Sequence, residues 1–444
     1  MIVRLLLAAV LLAITLAGLP TRAAGTSGIV EVVSPGGIKA WLKQDPSVPL
    51  MAVDFRFSGG ATLLPPEKAG AASLAAGMLS EGAGDRDAEA MRTVLADHSI
   101  SLGFSAGRDA FYGELTVLIE HKGLAAELIG DMLTAPRFDP AALERRRAGM
   151  IRSARVREKR PNAIAYRRWR EIAYAGHPYA VGTQGTVETI SGLGVEDLRA
   201  FLARALTRRS LIIGVAGDID PHQLGLWLDD AFGALPDADA PPPPPLFEDP
   251  PGGVDVTEFP GGQSVVVFGH RAPGRNDPDW PAAAVAAQIL GGSSFTSRLG
   301  QEVREKRGLA YGIGARLSPA PAGSILFGRT ATRDDAVAET IRVIRQEWRR
   351  LAEEGPTADE VADAKAYMIG SFPISLDSSG AIASVLVQMQ YYDLGIDYWE
   401  RRTGILDSVT LADVQRVASE VLKEDALLFT VVGQPQGVET MNLQ

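Results

Sequence analysis

The residues best placed to do chemistry lie in the stretch 297–311, Ser-Arg-Leu-Gly-Gln-Glu-Val-Arg-Glu-Lys-Arg-Gly-Leu-Ala-Tyr. Arg304 and Tyr311 are its two candidates. A guanidinium offers several N–H donors, and a phenol adds one directional O–H donor. Aimed together at a peptide carbonyl, such donors hold a substrate and stabilise the oxyanion that forms on attack. The bland alternative is a structural arginine and a half-buried strand tyrosine.

No cutting chemistry accompanies them. The five histidines, His98, His121, His177, His222 and His270, include no two that are three or four residues apart. A helical pair of zinc ligands therefore cannot form locally. Neither His-x-x-Glu-His nor its reverse occurs, and there is no Gly-x-Ser-x-Gly elbow, dinucleotide-binding glycine motif or Walker loop. The chain has no cysteine, which excludes disulfides and thiolate metal sites.

The elements that must position Arg304 and Tyr311 are legible. Phe295, Leu299 and Val303 form an apolar stripe at helical spacing, and Gly308 suits a helix C-terminus. Tyr311, Ile313, Ala315 and Leu317 then alternate as a strand. A helix–turn–strand brings both side chains to one end of the unit.

The same kind of unit occurs twice. Strands at 51–57 (Val53, Phe55 and Phe57 alternating) and 264–269 each lead to a small-residue helix, at 70–79 and 280–290. Asp139-Pro140 predicts an N-cap and first turn for a helix whose apolar face carries Leu143, Met150, Ile151 and Ala154. Each half ends in a strand, Leu211-Ile-Ile-Gly-Val-Ala-Gly and Leu427-Leu-Phe-Thr-Val-Val-Gly. The class is α+β, two similar domains, each a mixed or antiparallel sheet covered by helices. The domains span 25–235 and 253–444, joined by a proline-rich linker, 236–252, that reads as an extended spacer between two bodies.

The N-terminus reads as a signal peptide over residues 1–24. Arg4 precedes an apolar run from Leu5 to Ala17, Pro20 breaks it, and cleavage is expected near Ala23/Ala24. The run is shorter than a membrane anchor of roughly 20 residues. The expected mature protein is exported to the periplasm, with no membrane attachment. Removing Arg4 and Arg22 leaves 42 basic against 54 acidic residues, a balance of −12. That charge disfavours nucleic acid as a partner. Residues 145–170 run against it, with eleven Arg and Lys facing one acid, Glu158. They form either a solvated helical face or a docking surface for an acidic partner.

Residues 297–311 resemble the C-terminal signature of the insulinase/pitrilysin-like (inverzincin) zinc metallopeptidases. His177-Pro-Tyr-Ala-Val-Gly-Thr-Gln-Gly-Thr and the run 195–218 resemble segments of the family's N-terminal domain. Gly60 to Leu79 resembles the segment where that family carries its inverted zinc motif, and here the pattern departs. Ser73, Ala76 and Gly77 stand where histidine, glutamate and histidine belong, and the turn Ile151-Arg-Ser-Ala lacks the third, acidic ligand. None of the first three can bind zinc as its counterpart does, and Ala76 cannot act as a base.

The resemblance implies a non-catalytic subunit, with no metal of its own, that keeps Arg304 and Tyr311 for substrate binding. It implies a partner: a zinc-motif-bearing insulinase-like subunit that closes with this chain as a clamshell around short or unfolded peptides. A homodimer of the chain alone is left open. The alternative is a scaffold subunit of a larger complex with no role in proteolysis.

Overall fold

A computed structural model describes residues 28–293 and 295–440. The expected signal peptide lies outside the described residues. No helix among them is long and apolar enough to cross a membrane.

The first half opens with strands β1 (Ile29–Val33), β2 (Lys39–Gln44) and β3 (Leu50–Ser58), then helix α1 (Ala71–Leu79). A small ribbon, β4 (Gly82–Ala83) with β5 (Arg86–Asp87), precedes helix α2 (Ala88–Asp97). The hairpin β6 (Ser101–Ala106) and β7 (Ala110–Leu118) leads to five helices: α3 (Lys122–Thr134), α4 (Pro140–Arg157), α5 (Pro161–Ala173), α6 (Val187–Ser191) and α7 (Val195–Ala205). Strand β8 (Leu211–Gly217) and helix α8 (Pro221–Phe232) close the half.

The second half repeats this order. It runs β9 (Gly253–Glu258), β10 (Gln263–Ala272), helix α9 (Trp280–Gly291), a π-helical turn (Gly300–Glu305) and the hairpin β11 (Ala310–Ser318) with β12 (Ser324–Arg333). Helices α10 (Val337–Glu353), α11 (Ala358–Ile374), α12 (Ser379–Tyr391), α13 (Tyr398–Ser408) and α14 (Leu411–Val421) follow, and β13 (Leu428–Gly433) ends it.

The sheets have the same wiring. The first is ordered β1-β2-β8-β3-β7-β6 and the second β9-β13-β10-β12-β11, so β2, β8, β3, β7 and β6 take the places of β9, β13, β10, β12 and β11. In each, one pair is parallel (β2 with β8, β9 with β13) and the other pairs are antiparallel. The likeness reaches single residues. Phe55 faces Gly113 across β3–β7, and Phe268 faces Gly328 across β10–β12. A Cβ on either glycine would come within 2.3 Å of the opposing ring, so glycine is what lets each ring lie flat on the neighbouring strand. The class is α+β, with sheets covered by helices, as the sequence implies.

One face of each sheet packs on its own half's helices. Met51, Val53, Phe55 and Phe57 enter the first core, and Val266, Phe268, Phe429 and Val431 the second. The other faces are covered by helices exchanged between halves. On the second sheet, α5 seats Trp169, whose indole N–H donates to the Leu428 carbonyl at 3.1 Å, while Thr430 Oγ1 donates to the Ala165 carbonyl at 3.0 Å. On the first sheet lies α12. Its backbone approaches so closely that a Cβ on Gly214 would stand 2.3 Å from the Ala383 carbonyl oxygen. Gln390 Nε2 donates to the Ile213 carbonyl at 2.8 Å.

This exchange corrects the reading of 236–252 as a spacer. The segment carries no helix or strand, but it lies against both halves, the Phe247 N–H donating to the Ala322 carbonyl of the second at 3.1 Å. Phe247 packs edge-on to Tyr174, with ring centres 4.8 Å apart, and His177 Nε2 donates to the Pro245 carbonyl at 2.8 Å. The apolar faces of α5 and α12 already bind the halves together, so the proline run fills their junction. A second local expectation also changes. Asp139 precedes α4 as expected, but its carboxylate accepts from Arg137 at 2.9 Å and does not cap the helix amides.

Candidate functional site

Arg304 sits on the π-helical turn, where the Lys306 N–H reaches back five residues to the Gln301 carbonyl. Leu299 and Val303 are fully buried in the second core and anchor this turn. Phe295 is not the third member of that stripe. It lies in the preceding turn and is 55 % exposed. The apolar spacing was read one turn too far, because the helix begins only after residue 297.

Tyr311 is the second residue of β11, the edge strand of the second sheet. By simple alternation it should share the inner face with Ile313 and Ala315. It does not: the pairing of β11 with β12 shifts register between Ala310 and Ile313. That bulge turns Ala310 inward and leaves Tyr311 89 % exposed. Bulges re-aim a side chain in this way, often at functional edges.

The three groups form one stack. The Arg304 guanidinium lies 3.9 Å from the Phe295 ring centre and 4.9 Å from that of Tyr311. Such cation–π contacts fix the planar group without using its N–H donors. Its acidic neighbour is Glu305, with Nε to Oε1 at 3.3 Å. Glu302, on the same turn, is occupied elsewhere, bonded to Lys306 at 2.6 Å and to Arg307. Partial burial raises the Glu302 carboxyl, but the hydrogen bonds from Arg307 and Lys306 outweigh it and hold the group ionised below the usual range. The Arg304 side chain is 21 % exposed, beside the far more exposed phenol of Tyr311.

The positions aligned with the zinc motif lie on α1. Ser73 donates to the Thr183 carbonyl at 3.0 Å, and Ala76 is buried in the core. A side chain on Gly77 would point at Arg146 of α4, whose guanidinium stands 3.7 Å from that direction. Beside it, the buried Glu81 is held by both Arg145 and Arg146, the latter at 2.6 Å. This donor set does not fit a metal. A guanidinium occupies the wall, the one nearby carboxylate is spent on two arginines, and no cluster of three or more His, Cys, Asp or Glu occurs among the described residues.

The histidines have local roles. His270 is buried; its Nε2 accepts the Trp348 indole N–H at 2.8 Å, and burial pushes its pKa down. His177 Nδ1 accepts from the Tyr179 amide at 3.1 Å. His98 and His121, far apart in sequence, meet edge-to-face with ring centres 4.8 Å apart. Two residues of these sites were not picked out in the sequence: Phe295, counted as core, and Arg146, visible only as part of a basic run.

Known proteins resemble the chain over most of its length. Residues 192–368 match the family model for the peptidase M16 inactive domain. The chain is 23 % identical to the Helicobacter pylori non-peptidase homolog YmxG, over 87 % of this chain and 89 % of that one. It is 26 % identical to the beta subunit of the mitochondrial-processing peptidase of Blastocladiella emersonii, over 74 % and 72 % of the two chains. A crystal structure of a peptidase M16 inactive domain from Pseudomonas fluorescens superposes with a TM-score of 0.87 at 25 % identity, covering 94 % of this chain and all of that one.

Proposed function

The chain belongs to the insulinase-like (M16) peptidase family as a non-catalytic member, and from that premise we propose that it is the substrate-gripping subunit of an exported, heteromeric zinc peptidase. A zinc-bearing insulinase-like partner would close with it around a short or unfolded peptide in the periplasm. Zinc held by the partner would supply the activated water. This chain's part is to bind and orient: the Arg304 fork and the Tyr311 hydroxyl take the peptide carbonyl next to the scissile bond, and Phe295 covers the guanidinium's other face.

The observation that carries the proposal is the Phe295–Arg304–Tyr311 stack. A bulge leaves the Tyr311 ring exposed and a π-turn carries Arg304 against it, and both irregularities depart from regular hydrogen bonding that a purely structural pair would keep. The pairing of subunits rests on likeness: the Blastocladiella match is named as one subunit of a processing peptidase. Coexpression with the zinc-motif-bearing chain of the same source, followed by peptide hydrolysis, tests it. The expected result is zinc-dependent cleavage by the mixture and none by this chain alone. Cleavage by this chain alone would sink the proposal.

A second reading has one observation behind it. The Helicobacter relative is named a non-peptidase homolog. If the mixture forms a complex that never cleaves, and Arg304→Ala leaves that complex unchanged, the chain is a scaffold.

A further inference from the structure

The basic run 145–170 divides in two. On α5 the arginines are spent on the fold: Arg168 bridges to Asp255 at 2.9 Å, Arg167 to Glu171 at 3.7 Å, and Arg170 donates to the Ala180 carbonyl at 3.0 Å. At the start of α4, Arg145 and Arg146 hold Glu81 and Arg147 pairs with Glu144, but from Arg152 onward the cations are less engaged. Arg152, Arg155, Lys159 and Arg160 are exposed and have no acidic side chain within 4.0 Å among the described residues. Arg157 donates only to the carbonyls of Gln184 and Gly185, at 3.4 and 3.1 Å.

Of these, Arg152, Arg157 and Arg160 line a cleft of about 770 Å³. Five arginines form its wall (Arg145, Arg146, Arg152, Arg157 and Arg160), and no acid lines it. The half-exposed Val156 adds an apolar patch. The cleft adjoins Gly77 through Arg146, and the resemblance aligns Gly77 with the end of the family's zinc motif. Its volume is within the usual range for ligand sites, about 300–1,000 Å³. Guanidiniums crowded together repel one another, and the one buried carboxylate, Glu81, offsets only part of that charge. An anionic ligand removes the repulsion. Arginine in all five cationic positions favours planar, bidentate acceptors, meaning carboxylates.

We propose that this arginine cleft on α4 binds an acidic stretch of peptide, holding clustered Asp or Glu side chains beside the vacated metal position. The protein's overall charge of −10 opposes long uniform polyanions, whereas a short run of carboxylates meets only the cleft. The proposal takes from the preceding reading only that the ligand is peptide; it requires neither the partner nor hydrolysis.

The test is fluorescence anisotropy on the purified mature chain alone, at low and high salt. The probes are three labelled peptides of equal length, rich in Glu, Gln or Lys. The Glu-rich peptide is expected to bind at least about tenfold tighter than the Gln-rich one, with the preference weakening in salt. Arg152→Glu combined with Arg160→Glu, both exposed and without acidic partners, should abolish that preference and leave the melting temperature unchanged. Equal affinity for the Glu- and Gln-rich peptides overturns the proposal, as does a preference that survives the double variant. Tighter binding of a single-stranded oligonucleotide, or of phosphatidylglycerol vesicles, that the same variant abolishes would overturn it in favour of a general polyanion surface. Acidic-peptide binding without hydrolysis in any mixture would leave the cleft standing and remove the peptidase-subunit reading.

Discussion

Arg304 is fixed by contacts that leave its chemistry available. The rings of Phe295 and Tyr311 hold the guanidinium plane at 3.9 and 4.9 Å, while Glu305 takes only the Nε edge. Removing one donor aimed at a developing oxyanion typically lowers kcat about 10²-fold. Arg304→Ala should therefore reduce kcat of the reconstituted pair by about that factor, and Tyr311→Phe by about tenfold, with complex formation intact by size-exclusion chromatography. Phe295→Ala should mainly raise KM, because it frees the guanidinium without deleting a donor. Unchanged steady-state kinetics for all three would remove this stack from the reaction. Asp54 offers a different residue-scale effect. Burial under α12, with Glu114 nearby, raises its carboxyl pKa from 3.8 to about 6, although Ser384 and Arg56 pull the other way. The folded state thus holds this proton more tightly than the unfolded chain. Its stabilising contribution is complete below 3.8, is lost as pH rises to about 6, and stays lost above. The loss is on the order of 3 kcal/mol. Asp54→Asn should melt higher than wild type at pH 8 and equally at pH 3.5, read by circular dichroism; a constant gap across pH would refute the titration. Arg304 and Tyr311 could be singled out in the sequence because the surrounding stretch resembles a family signature, and the structure brings their side chains together. Asp54 could not, because its environment is a helix from the other half.

At the level of elements, regular periodicity was readable and irregularity was not. Helices α1 and α9 and strands β8 and β13 fall where small-residue runs and apolar strands predict them. The bulge at Ala310–Ile313 and the π-turn have no local signature, since register depends on the partner strand and on which residues the core selects. Alternation in β3 was also only half the story. Val53, Phe55 and Phe57 face the core, but Asp54 and Arg56 on the opposite face are covered too, Arg56 stacking 3.7 Å from the Tyr391 ring centre of α12. Two substitutions probe the exchanged helices. Trp169→Ala deletes a buried indole and its hydrogen bond to Leu428, and should cost about 3–5 kcal/mol in urea unfolding. Gly214→Val places bulk against the Ala383 carbonyl and should lift α12, seen as faster proteolysis within 379–391. Native protection of that segment in Gly214→Val would show that the close approach is not required.

For the whole molecule, the two-unit architecture was legible from the repeat of strand, small-residue helix and closing strand, and the shared wiring of five strands in each sheet bears it out. How the units are joined was not legible, because a proline run suggests separation while the apolar faces of α5 and α12 carry no mark of which sheet they will cover. The exchange makes a clear prediction: protease nicking within 236–252 should leave both fragments co-eluting as one particle, whereas either half expressed alone should expose the vacated sheet face and aggregate. The same exchange sets an order of events during folding. The first sheet cannot complete its second face until residues 379–391 exist, and Trp169 waits for Leu428, 259 positions later. Contacts so distant in the chain are slow to form, because long loops must close before they are rewarded. An emerging chain therefore has no finished domain to lock in early, and it stays pliable until nearly its last strand has been made.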